Sequence, residues 1–132
     1  HWVYENPQQG AQPAQCDARW AELWERFIPS VDWSGLDATM MSGWHRKLHI
    51  HQVPFYYVEY GLAQLGAVQV WANALRDQAG AVARYRRALA LGGTAALPQL
   101  FAAAGAKFAF DTATLGRYVD LMERTIEELE SK

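Results

Sequence analysis

The sequence predicts an all-α fold, and three observations carry that prediction. Apolar residues recur at helical spacing in several separate stretches. Prolines, glycines and short polar residues fall between those stretches, where helices begin and end. No period-2 alternation runs long enough to make a sheet. At 132 residues the chain is the size of one domain, and a single all-helical domain over 1–132 is expected.

Taken in order, Trp2-Val3-Tyr4 reads as the tail of a helix, and residues 6–15 read as a polar Pro/Gly loop. Trp20, Leu23, Trp24, Phe27 and Ile28 then follow the i, i+3, i+4, i+7, i+8 pattern of one helical face, with Asp17 near its start and Pro29 beyond its end. Asp32-Trp-Ser-Gly35 is a turn. Ser34 is placed to cap a helix that begins near Leu36 and continues through Trp44 to Leu48 or His49. Pro54 disfavours helix at Val53 but is tolerated in a first turn, so the next helix is expected over 54–75. Gly61 and Gly66 lie inside that helix at a cost of about 1 kcal/mol each relative to alanine. Such a cost points to a close neighbour or a bound group, and puts this helix at the centre of the domain.

A further helix runs from Asp77 to Leu91, where Gly92-Gly93 suits a left-handed stop. A short one spans 97–104 with Pro98 in its first turn, and the last opens at Asp111 or Thr112. Leu115, Tyr118, Val119, Met122, Ile126 and Leu129 give the last helix an apolar stripe.

Composition excludes several functions. A net charge of −2 gives no reason to expect nucleic acid or an acidic membrane surface, and Arg84, Arg86 and Arg87 read as a solvated helix face. The single cysteine, Cys16, forbids an internal disulfide and fits a reduced, cytoplasmic setting. No apolar run reaches the roughly 18 residues of a membrane span, and no signal-like segment opens the chain.

The chemistry concentrates in His49-Ile-His-Gln-Val-Pro-Phe-Tyr-Tyr-Val-Glu-Tyr60, with two imidazoles and three phenols in twelve residues. On the expected helix, Tyr57 and Tyr60 are three apart and Tyr56 and Tyr60 four apart, so each pair shares a face. A phenol donates a hydrogen bond without carrying charge, which suits a carbonyl oxygen becoming an oxyanion. A nearby imidazole can orient a peptide group. On the residues alone, aromatic packing with hydroxyls reaching water is the commoner arrangement. Glu59 fits a buried acid, a hydrogen-bond partner or an exposed charge equally well.

His45-Arg-Lys-Leu-His49 has the His-x-x-x-His spacing of a zinc metallopeptidase helix, but Arg46 stands where a catalytic Glu belongs. No metal ligand is therefore assigned in this chain. The run Val82–Leu91 is similar to the second helix of a tetratricopeptide unit, but it occurs once and reads as an ordinary amphipathic helix.

The run from Trp44 through His49, Pro54-Phe-Tyr-Tyr57 and Tyr60 to Trp71 resembles the C-terminal part of the oligoendopeptidase F group, in the M3 family of zinc metallopeptidases. The flanks His1-Trp-Val-Tyr-Glu-Asn-Pro7, Val31-Asp-Trp-Ser-Gly-Leu36 and Ala88-Leu-Ala-Leu-Gly-Gly93 agree, so the resemblance covers essentially the whole chain. It implies a helical fold enclosing a channel with one zinc. The metal is held by His-Glu-x-x-His and a later glutamate, which precede the matched region and are not in this sequence.

By similarity, this chain is the C-terminal substrate-facing segment of an enzyme that hydrolyses short peptides, and the segment alone is expected to be inactive. Zinc belongs to the upstream zinc-binding half of the parent, which is its implied partner. The resemblance assigns Tyr57 and Tyr60 to oxyanion stabilisation and His49 to substrate binding, with Tyr56 as an alternative partner. His51 departs from the aromatic residue more usual there.

The competing reading is a non-catalytic helical module that binds a protein or peptide. A His-Glu-x-x-His helix shortly upstream of His1 in the reading frame distinguishes the two. Without the metal half, the apolar side of the 54–75 helix invites self-association.

Overall fold

The computed structural model describes residues 1–132, and every regular element in it is helical. The chain divides into two compact units, His1–Tyr57 and Val58–Lys132.

The first unit opens with two short helices, α1 (Trp2–Glu5) and α2 (Pro7–Gly10), followed by the long α3 (Pro13–Phe27). The expected loop over 6–15 is thus largely helical. Pro7 and Pro13 each occupy the first turn of a helix, where the missing N–H is no loss and the fixed φ helps. Prolines read as breakers in sequence act here as starters. Gly10 lets α1 and α2 close on each other, since a Cβ there would meet Val3 Cγ1 at 2.8 Å. The Asn6 side-chain amide donates to Trp2 O at 2.9 Å and closes α1.

After α3, Asp32 Oδ1 accepts from the Ser34 hydroxyl at 2.6 Å and from its N–H at 2.9 Å. Those two bonds hold the Asp32 carboxyl below its ordinary pKa, the hydroxyl contributing most. Ser34 is spent on this turn, so it does not cap α4 (Asp37–Met41), whose N-cap is Leu36.

The helix expected from Leu36 to His49 is broken into three: α4, a 3-10 turn (Ser42–Arg46) and α5 (Leu48–His51). Two physical causes are visible. The Ser42 hydroxyl donates back to Ala38 O at 2.7 Å, which competes with the helical ladder. Gly43 gives room to the Trp20 indole, whose Nε1 would sit 3.0 Å from a Cβ at that position. Lys47 is then extended (φ −86, ψ 91) and restarts the chain as α5.

The second unit contains α6 (Val58–Ala74), α7 (Gln78–Leu91), a 3-10 turn (Gly92–Thr94), α8 (Leu97–Ala103) and α9 (Thr112–Glu130). Helix α6 packs on α7 and α9, and α7 also packs on α8. Its buried residues are mostly small, with Ala72, Ala81, Ala88 and Ala104 beside Leu65, so the backbones approach closely. Gly66 faces Phe101, whose ring carbons would lie 3.1–3.2 Å from a Cβ there, as the glycine argument expects. Gly61 faces nothing within 4 Å, so its cost has no such account.

The caps follow the sequence. Asp77 accepts from Gly80 N at 2.9 Å, and Asp111 accepts from Thr114 N at 2.8 Å and Thr114 Oγ1 at 2.7 Å. The Thr114 hydroxyl, then its N–H, hold the Asp111 carboxyl below its ordinary pKa. Gly92 takes a positive φ of 51° just past α7.

One buried polar residue organises this unit. Gln69, 2% exposed, donates through Nε2 to Lys107 O at 3.0 Å and accepts through Oε1 from Lys107 N at 2.7 Å. The amide satisfies both backbone groups of Lys107 and pins the segment after α8 onto α6. Asn73 adds a second tie one turn later, donating to Gly105 O at 2.8 Å.

Candidate functional site

The segment after α5 departs from its expected form in a way that shapes the site. Helix α6 begins at Val58 and not at Pro54. Residues 52–57 form turns, and Phe55 adopts a positive φ of 67°. A bulky residue in the left-handed region is strained by about 1–3 kcal/mol and needs outside support. The Tyr4 ring supplies some, lying 5.1 Å from the Phe55 ring, centroid to centroid.

The left-handed residue reverses the chain and brings the next two side chains back onto α5. Tyr56 stacks on the His49 imidazole at 5.1 Å and 22°, and Tyr57 tilts against it at 4.6 Å and 40°. The structure therefore joins His49, Tyr56 and Tyr57 in one clasp. It does so through a turn, and the helical spacing expected to align Tyr56 and Tyr57 with Tyr60 does not apply, because both precede the helix. Tyr60 belongs to the second unit, in the first turn of α6, and is exposed.

The other histidines are placed differently. His45 Nε2 lies 3.4 Å from Asp17 Oδ1, which also accepts the Trp44 indole N–H at 2.7 Å. The His51 ring lies 5.7 Å from the Trp44 ring. Because Lys47 interrupts the helix, His45 and His49 do not share a helical face as their i, i+4 spacing would give. No group of three or more His, Cys, Asp or Glu side chains is gathered to hold a metal.

A cavity of about 700 Å³ opens within the first unit, and both His49 and Tyr57 line it. That volume falls within the range of small-molecule and cofactor sites. Its other walls include Trp2, Trp20, Trp44 and Phe55. Sequence periodicity marks Trp20 only as part of a core face, and nothing local links it to Trp2 or Trp44. The abundance of tryptophan, six in the chain, is the one available signal.

A clasp of this kind can donate hydrogen bonds from uncharged phenols and exchange a proton at an imidazole, beside a space large enough for part of a peptide. No helix is long and apolar enough to cross a membrane. Among known protein families, residues 1–120 match the model of Peptidase family M3. No curated protein and no solved structure matches the chain.

Proposed function

The chain belongs to peptidase family M3, and from that premise we propose that it supplies the substrate-facing part of an oligoendopeptidase F-like enzyme cutting short peptides. The observation that carries this reading is the clasp of His49 by Tyr56 and Tyr57 at the edge of a peptide-sized cavity.

A catalytic zinc takes three protein ligands and keeps one open position. The donors of this chain do not fit it: His45 is engaged with Asp17, His49 packs against the Tyr56 and Tyr57 rings, and no third ligand joins them. Zinc and the activation of water therefore belong to an upstream half of the parent, which is the partner this reading requires. The 132-residue chain alone is inactive on this view. A cytoplasmic setting goes with it, where Cys16 stays reduced.

The chain's own residues do three things. His49 donates an imidazole N–H to a substrate carbonyl and fixes the register of the peptide. Tyr56 holds the imidazole plane by stacking and is the alternative contact to substrate. Tyr57 or Tyr60 donates its phenolic O–H to the scissile carbonyl oxygen as it gains negative charge. A neutral donor there stabilises the transition state more than the ground state, so its loss lowers kcat more than it raises KM.

The test is steady-state hydrolysis of a short peptide by the full-length parent carrying Tyr57→Phe, Tyr60→Phe or His49→Ala. Loss of an oxyanion donor lowers kcat by about a hundredfold or more, and His49→Ala raises KM as well. If both tyrosine variants turn over like wild type, the assignment is wrong.

A further inference from the structure

The cavity of the first unit has chemistry that the clasp alone does not explain. Its walls come from six stretches: α1, α2, α3, the Ser42–Arg46 turn, α5 and the 52–57 turn. Four of these contribute a large apolar ring, in Trp2, Trp20, Trp44 and Phe55. Such walls offer ring faces and edges to whatever enters.

Two charged groups on the same walls have ion-pair partners, while the buried Arg19 Nε has no hydrogen-bond partner. Glu5 Oε1 lies 3.0 Å from His1 Nε2, and Arg19 Nη1 lies 2.6 Å from Glu22 Oε2. An entering ammonium would lose water without finding a counter-ion of its own, which is costly. A large uncharged ring loses only unfavourable contact with water. His49 and Tyr57 stand on the same wall, so main-chain groups beside that ring fall within their reach.

We propose that this cavity is a specificity pocket for a large aromatic side chain of the peptide substrate, next to the bond that is cut. The inference rests on the functional reading above and adds a preference to it. Peptides with phenylalanine or tryptophan at the pocket position are favoured, and peptides with lysine there are rejected.

Cys16 provides a direct reporter. It lines the cavity, its Sγ lies 3.4 Å from Gly10 O, and it is the only thiol in the chain. The rate of Cys16 alkylation by a small maleimide is measured by mass spectrometry in the 132-residue chain. The probes are capped short peptides identical except for Phe, Ala, Asp or Lys at one position. The Phe peptide is expected to protect Cys16 at concentrations about tenfold or more below those of the Ala peptide, with the Lys peptide weaker still.

Leu23 also lines the cavity, and Leu23→Trp, which fills it, abolishes the preference. Should that variant misfold, the four-peptide ranking in the wild-type chain decides alone. Equal protection by all four peptides, protection by none, or a ranking led by Asp or Lys overturns the proposal. Tyr57→Phe and Tyr60→Phe kinetics in the parent separate the two ideas. A flat ranking with impaired tyrosine variants sinks the pocket and leaves the catalytic reading. An aromatic ranking with unimpaired variants supports the pocket and sinks the catalytic roles.

Discussion

Replacing Gln69 by methionine tests the central tie of the second unit. Methionine keeps the unbranched shape and removes the amide's bonds, leaving the Lys107 N–H and C=O without their partners at 2.7 and 3.0 Å and the Tyr118 hydroxyl without its acceptor at 3.4 Å. Each backbone group stranded in this way costs about 1–3 kcal/mol. Both bonds are only part-buried, so water recovers some of that cost, and taking the amide out of a site 2% exposed recovers more. The balance is a destabilisation of about 2 kcal/mol.

With an m-value of about 1–3 kcal/mol per molar urea, the midpoint should fall by roughly 1 M, followed by circular dichroism at helical wavelengths. Gln69→Glu sharpens the test. Its carboxylate still accepts from Lys107 N–H but has nothing to donate to Lys107 O until it is protonated. Burial and that carbonyl raise its folded pKa above the unfolded value of about 4.3. The variant therefore binds more protons folded than unfolded, and its deficit shrinks as pH falls through the raised pKa. A Gln69→Met midpoint within error of wild type, together with a pH-independent Gln69→Glu deficit, would refute the reasoning.

The two glycines of α6 should behave oppositely. Gly61→Ala meets open space and should stabilise by about 1 kcal/mol in urea melts, whereas Gly66→Ala presses on the Phe101 ring and should lose that gain or more. Asp111 has a depressed folded pKa, so its cap stabilises in full above the ordinary carboxylate range and fades as pH drops through the lowered value. The stability gap between wild type and Asp111→Ala should therefore close at acid pH and stay constant between pH 6 and 8. Helix α6 leaves Val58, Trp71 and Leu75 at least partly exposed, and the 132-residue chain is expected to self-associate through it. A strictly monomeric sedimentation profile at high concentration would contradict that.

Much of the second unit was legible in the sequence because its helices carry local punctuation. Asp77, Pro98 and Asp111 start helices where expected, and Gly92 stops one. The first unit was less legible, since its breaks are made by residues distant in sequence. Nothing near Gly43 announces that the Trp20 indole packs there. The union of His49 with Tyr56 and Tyr57 was anticipated in its members but not in its cause. The expected cause was helical spacing, while the observed one is a left-handed phenylalanine, which no propensity scale favours. Gln69 was overlooked, although an amide flanked by Val68 and Val70 in a largely apolar helix is the kind of signal that marks a buried tie.

The Phe55 turn also has a consequence for the order in which the molecule can assemble. A left-handed phenylalanine has little reason to persist by itself, and the ring beside it, Tyr4, comes from the very beginning of the chain. The two residues are fifty-one positions apart (55 − 4), so this contact closes a long loop and is expected to form late in folding. Until α1 is docked, Phe55 is free to relax towards extended backbone, and Tyr56 and Tyr57 need not lie on His49. Once it is docked, the clasp is set before any peptide arrives, and binding does not have to order those side chains again. The first few residues thus latch the clasp while also walling the cavity beside it.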